Sequence, residues 1–167
     1  MVMEENSQFF HLKCQNDSLL VFLLTTIYTI SHSNHREILW NNLWRLSQGI
    51  KDPWSMVGDF KDICSADERI GGRNGNPHHI AWFHDRINEC DLVGLGAIGP
   101  RMTWKGPRLA SCSTLYERLD KALVICNMRH TLPNSYLKYS MGRPRLKTES
   151  MVGLSPIVYM GEKLWEE

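Results

Sequence analysis

The sequence predicts a mixed α/β fold. Strand-like segments alternate with amphipathic helical ones, the apolar run Leu19 to Leu24 continues into Thr25, Thr26 and Ile27, and Trp54 to Phe60 reads as a strand ending on a Gly-Asp pair. The chain has 167 residues, 43% hydrophobic and 22% charged, which suits one folded domain. Nineteen Lys and Arg against 18 Asp and Glu leave a net charge of +1. That balance excludes a polybasic coat, so any contact with DNA or RNA has to come from a local patch.

Five cysteines (Cys14, Cys64, Cys90, Cys112, Cys126) contain no CxxC pair. This argues against a zinc module or a disulfide framework and for reduced thiols in a cytosolic or nuclear protein. The apolar run is far shorter than the ~18–20 residues of a membrane span. The start, Met-Val-Met-Glu-Glu, lacks the basic region of a signal peptide, so neither secretion nor a membrane partner is expected.

Taken in order, Ser7 to Cys14 partly alternates apolar and polar residues, Asn16-Asp17 offers a turn, and Leu19 to Tyr28 completes a hairpin. Glu4 and Glu5 precede it as a polar leader without strand context. Asn34 with Glu37 has the spacing of a capping box. Leu39, Leu43, Leu46 and Ile50 then recur at helical spacing, with the Trp40/Trp44 stripe expected in the core and Gly49 and Pro53 closing the helix. After the strand 54–60, residues 67–77 read as a loop. Asn76 can cap and Pro77 suits the first turn of a second helix, whose face is Ile80, Phe83, Ile87 and Cys90. Met102-Thr103-Trp104 reads as a strand, Leu115 to Ile125 fits helix or strand, and Tyr136 to Tyr139 is a short strand. Residues 140–167 show no clear period and read as an irregular tail after a domain spanning 7–139.

A carboxylate at the end of a buried strand is well placed for chemistry, and Asp59 sits there. The wider order is TTIY at 25–28, an amphipathic helix, PWSMVGDFKDI at 53–63, DERIGG at 67–72, INECDLVGLG at 87–96, MTW at 102–104 and YERLDKAL at 116–123. This order and wording resemble the endonuclease/exonuclease/phosphatase superfamily, the DNase I-like fold, and especially the domain of plant non-LTR (LINE-type) retroelements. The resemblance covers about residues 7 to 139. It implies a four-layered α/β sandwich with a Mg²⁺-dependent phosphodiesterase site acting on nucleic acid, DNA among its substrates. By resemblance Asp59 matches the metal-binding or water-orienting acid of a GDFN motif. Tyr28 matches a strand-end tyrosine on the phosphate side. Asp120 matches the acid that orients a catalytic histidine. Thr103-Trp104 fits core or groove packing.

Three departures from the pattern stand out. The GDFN motif reads Gly58-Asp59-Phe60-Lys61, and on an extended backbone Asp59 and Lys61 point the same way. An ammonium about 5 Å from a divalent ion repels it by several kcal/mol at an effective dielectric near 20. The outcomes open to Lys61 are a salt bridge to Asp59, a stem that swings away, or an amine that holds phosphate in place of the Asn. The Asn and metal-binding Glu of the family's first strands have no counterpart ahead of the matched residues. The closing Ser-Asp-His motif is replaced by Ser140-Met141-Gly142-Arg143-Pro144-Arg145-Leu146-Lys147. His78, His79 and His84 lie on or before the second helix and do not take its role. The implied fold is thus a partial sandwich with missing first strands and an altered C-terminal end. Such a fold is expected to leave Leu19 to Ile30 or its neighbours unusually exposed, or the protein poorly soluble.

Three readings stay open at this stage. One is a truncated, inactive remnant that binds Mg²⁺ weakly or not at all. Another is an active Mg²⁺-dependent nuclease completed by a partner or by unusual residues. The third is a nucleic-acid-binding module gripping the backbone through Lys138, Arg143, Arg145 and Lys147.

Overall fold

The computed structural model of the chain describes residues 1–15, 19–29, 32–72, 75–106, 113–131, 136–141 and 154–159. Strands β1 (Val2–Glu5), β2 (Phe9–Gln15) and β3 (Val21–Tyr28) form an antiparallel meander. Helix α1 (Ser33–Ser47) connects β3 to β4 (Trp54–Asp59), which lies parallel to β3. A short 3-10 turn at Ala66–Glu68 leads into β5 (Arg69–Ile70), α2 (Pro77–Glu89) and β6 (Leu92–Gly94). Next come β7 (Ala97–Ile98), β8 (Trp104–Lys105), β9 (Tyr116–Glu117) and β10 (Asp120–Ile125). Helix α3 (Cys126–Thr131), β11 (Tyr136–Met141) and β12 (Leu154–Tyr159) complete the order. Among the described residues the main sheet runs β1-β2-β3-β4-β10-β6, and two three-stranded sheets run β12-β11-β7 and β5-β9-β8.

Period-two alternation sends neighbouring side chains of the main sheet into two different cores. Leu23, Ile27, Trp54 and Met56 face α1 and α2, packing with Leu39, Trp40, Leu43, Phe83 and Ile87. Trp40, Phe60 and Phe83 meet ring to ring with centroids 5.7–6.0 Å apart. On the opposite face Phe22, Val57, Ala122 and Val124 pack with Leu95 and with Met128 of α3. Between the strands, Thr25 Oγ1 accepts a hydrogen bond from Trp54 Nε1 and contacts His11 Nδ1, both at 2.8 Å. Burial pushes the His11 imidazole below its usual value, against a smaller upward pull from Glu4.

The hairpin, the strand 54–59 and the second helix follow the sequence. Asn76 caps α2, its Oδ1 accepting from the His78 N–H at 3.0 Å, with Pro77 in the first turn. Asn16-Asp17 lies outside the described residues. The segment ERLDKALV resolves to strand, because Asp120–Val124 pairs residue for residue with Ser55–Asp59.

Other expectations are corrected. Helix α1 is capped by His32 without a side-chain bond, so Asn34 already lies in the first turn and the expected capping box does not form. Trp40 is buried, but Trp44 turns outward and is 48% exposed. Glu4 and Glu5 are not a leader: they lie in β1, opposite His11 and Phe10, and Glu4 pairs with Arg45. The run 19–30 is largely interior, with Phe22, Leu23, Thr25, Ile27 and Thr29 buried. Its exposure is confined to the ends, Leu19 at 75% and Tyr28 at 67%, and to neighbours Met1, Val2, Met3 and Phe10. Ile30 lies outside the described residues. Beyond residue 139 the chain is not all irregular: β12 pairs along its length with β11. Its Pro156, opposite Tyr139, is a residue tolerated only on sheet edges, which blunts the strand signal in the sequence.

Candidate functional site

Three adjacent strands of the main sheet end at one rim. In the β3–β4 pairing Tyr28 stands beside Asp59, and in the β4–β10 pairing Asp120 stands opposite Asp59. The same register puts Asp59 in phase with Val57, and Asp120 with Ala122 and Val124, so the three rim side chains prolong the face of the second core. The strand ends thus bring Tyr28, Asp59 and Asp120 together across a separation of more than 90 positions in the chain.

Gly58 makes this approach feasible. Its φ is +147°, and a Cβ there would lie 1.9 Å from the Ile27 carbonyl oxygen on the neighbouring strand. The Gly of the Gly-Asp pair is therefore set by backbone contact between β3 and β4.

After Asp59 the chain turns sharply, with Lys61 at φ +57°. The turn folds Lys61 back on Asp59: its N–H donates to Asp59 Oδ1 at 3.0 Å and its Nζ pairs with Asp59 Oδ2. The contact is made by this left-handed turn and not by an extended backbone. The ammonium also lies 6.0 Å from the Tyr28 ring centroid. Asp120 is held from the other side by Thr103, a buried residue whose Oγ1 accepts from the N–H groups of Leu119 and Asp120, each at 3.1 Å. Burial raises the Asp120 carboxyl above its usual range. A separate hydrogen bond of the Thr103 hydroxyl to the carboxylate pulls it down, Asp59 pushes it up, and Lys61 and Lys121 pull it down.

The residues present do not fit the divalent ion that the resemblance implies. Magnesium takes six oxygen ligands and tolerates little distortion. Here both Asp59 oxygens are engaged by Lys61, and among the described residues no three His, Cys, Asp or Glu side chains converge to hold a metal.

Behind the rim lies a charged cluster that the sequence reading missed. Lys121, only 4% exposed, donates to the carbonyls of Asp62, at 2.8 Å, and Arg118, and lies 3.0 Å from Glu68 Oε2. Glu68 Oε2 also accepts from the Cys64 N–H at 2.6 Å. Arg36 Nη1 donates to Asp62 Oδ1 at 2.5 Å, and Arg69 pairs with Glu117 at 3.4 Å. Arg36, Lys61, Asp62, Arg69, His79 and Glu117 line a cleft of about 180 Å³. The available signal was Lys121 itself: it alternates with Ala122 onto the core face of a strand, where an unpaired lysine is not tolerated.

Asp62 is 6% exposed, and its Oδ2 has no hydrogen-bond partner among the described residues. Burial raises its carboxyl from 3.8 to about 6, outweighing the lowering by Arg36 and Lys121. Between those two values the folded chain keeps a proton that the unfolded chain has released. The contribution of Asp62 to stability therefore falls as pH rises from 3.8 to about 6 and is flat above that. Asp62→Asn removes this slope. Urea unfolding from pH 4 to 7 should show the variant gaining up to about 3 kcal/mol on the wild type as pH rises, and an unchanged difference would refute the assignment.

Of the basic segment, Lys138 lies in β11, while Arg143, Arg145 and Lys147 lie outside the described residues. His78, His79 and His84 sit on α2. Cys14, Cys64, Cys90 and Cys126 are free thiols. No helix among the described residues is long and apolar enough to cross a membrane.

No protein-family model and no curated protein matches the chain. Solved structures do. The endonuclease domain of TRAS1, a telomere-specific non-LTR retrotransposon, superposes with a TM-score of 0.65 at 12% identity, covering 92% of this chain and 63% of that one. A beta toxin variant from Staphylococcus aureus, solved with bound magnesium ions, superposes with a TM-score of 0.53 at 12% identity, covering 90% and 53%. A second beta toxin structure from the same organism gives 0.52 at 14%, covering 91% and 52%. The chain thus spans between about half and 63% of the length of the structures it matches. At these identities the likeness establishes architecture: the chain has the mixed α/β fold of DNase I-like domains.

Proposed function

We propose that this chain is a DNase I-like domain that does not hydrolyse phosphodiesters by itself, derived from the endonuclease of a LINE-type retroelement, of plant type by its motifs. The observation that carries the reading is the contact of Lys61 with both oxygens of Asp59. A metal-dependent phosphodiesterase needs that carboxylate free to hold a cation against the phosphate. The ordered motifs and the likeness to the TRAS1 endonuclease domain support the ancestry. Asp59, Asp120 and Tyr28 are then inherited positions of a hydrolytic site, and Lys61 is one of the departures that silence it.

A supercoiled-plasmid nicking assay tests the proposal. Wild-type protein should give no Mg²⁺-dependent nicking above buffer. Nicking that requires Mg²⁺ and disappears in Asp59→Ala would overturn it in favour of an active nuclease.

A further inference from the structure

We propose that the Lys61 ammonium is the resident counter-ion of two facing carboxylates, closing against metal ions a divalent-cation site that Asp59 and Asp120 would otherwise form. Asp59 and Asp120 stand directly opposite each other on antiparallel strands. Like charges in that position repel, so a cation nearby stabilises the pair. Mg²⁺ keeps several of its waters and commonly takes only one or two carboxylates from a protein. Lys61 supplies the charge from within the chain, lying on Asp59 Oδ2 and beside the Tyr28 ring.

Two further features single out Lys61. The only other ammonium packed behind the rim among the described residues, that of Lys121, has its three donors directed at Asp62 O, Arg118 O and Glu68. Lys61 itself occupies a left-handed backbone conformation that favours Gly and Asn over Lys. Its two contacts with Asp59 hold it there.

The inference shares the Lys61–Asp59 contact with the functional reading above, but the two fail separately. Plasmid nicking by the wild type would overturn only the silent-domain reading, while the test here reads metal uptake. The probe is Mn²⁺ alone, followed by the loss of its free EPR signal, with thermal unfolding recorded in parallel. Wild type should leave the free Mn²⁺ signal unchanged and melt at the same temperature with or without the ion. Lys61→Asn keeps a residue suited to this backbone, and its N–H can still reach Asp59. It should take up about one Mn²⁺ per chain, at least tenfold more tightly than wild type, and its melting temperature should rise with Mn²⁺. Lys61→Met should behave alike, and Asp59→Asn combined with Lys61→Asn should lose the uptake. Equal binding by wild type, or no uptake by folded Lys61→Asn and Lys61→Met, overturns the proposal. So does misfolding of both variants that Mn²⁺ does not reverse.

Discussion

Replacing Lys121 with methionine is expected to destabilise the protein by about 3–5 kcal/mol, among the largest losses of any single substitution in the chain. The stem would still pack against Phe83, whose ring centroid lies 5.7 Å from the ammonium. What disappears is the charge. Glu68, largely buried, would keep Arg118 at 4.0 Å but lose its lysine, and the Asp62 and Arg118 carbonyls would lose their donor. Truncating one partner of a buried pair is costly because the other keeps its desolvation penalty. Urea unfolding should therefore show a much smaller loss when Lys121→Met is combined with Glu68→Gln than the sum of the two single losses. A loss under about 1 kcal/mol for Lys121→Met would mean that the buried cluster does not hold the rim in place.

Gly58→Ala is expected to be comparably damaging, on the order of 3–6 kcal/mol, from a strained φ and a backbone clash together. The added Cβ would meet the Ile27 oxygen, carbon and nitrogen at 1.9, 2.8 and 2.9 Å, all backbone atoms of the strand paired with β4. Relief requires β3 and β4 to part, and that separates Tyr28 from Asp59. Gly94→Ala is the control, since a Cβ there has nothing within 4 Å. It should shift stability by less than about 1 kcal/mol. Thermal unfolding of the two variants would decide the matter: similar melting temperatures would show that the β3–β4 approach is not constrained at Gly58.

Much of this arrangement was readable because its signals are local. A turn-linked hairpin, an Asn-Pro helix start and a strand closing on Gly-Asp each declare themselves within about ten residues. The meeting of Tyr28, Asp59 and Asp120 was legible through motif order. The charged cluster was not, because its partners are far apart in the chain: 59 positions separate Lys121 from Asp62, and 26 separate Arg36 from Asp62. Each residue alone looks like ordinary surface charge. Periodicity also failed where strands are very short, as in β7, or carry glutamates on an outer edge, as in β1. Trp44 misled because it follows Trp40 by one helical turn and lies just past the boundary of the buried stripe.

The hydroxyl shared by His11 and Trp54 has a consequence for assembly. Thr25 sits between a ring from the preceding strand and one from the strand that arrives after an intervening helix. A slip of one residue on either side would turn the hydroxyl to the wrong face and forfeit both bonds together. The parallel join of β3 to β4 is non-local, because α1 and its connections lie between the paired strands in the chain. A pairing slipped by one residue would leave the Trp54 indole N–H and the His11 ring nitrogen without this partner in apolar surroundings, so one oxygen favours the observed register on both of its sides.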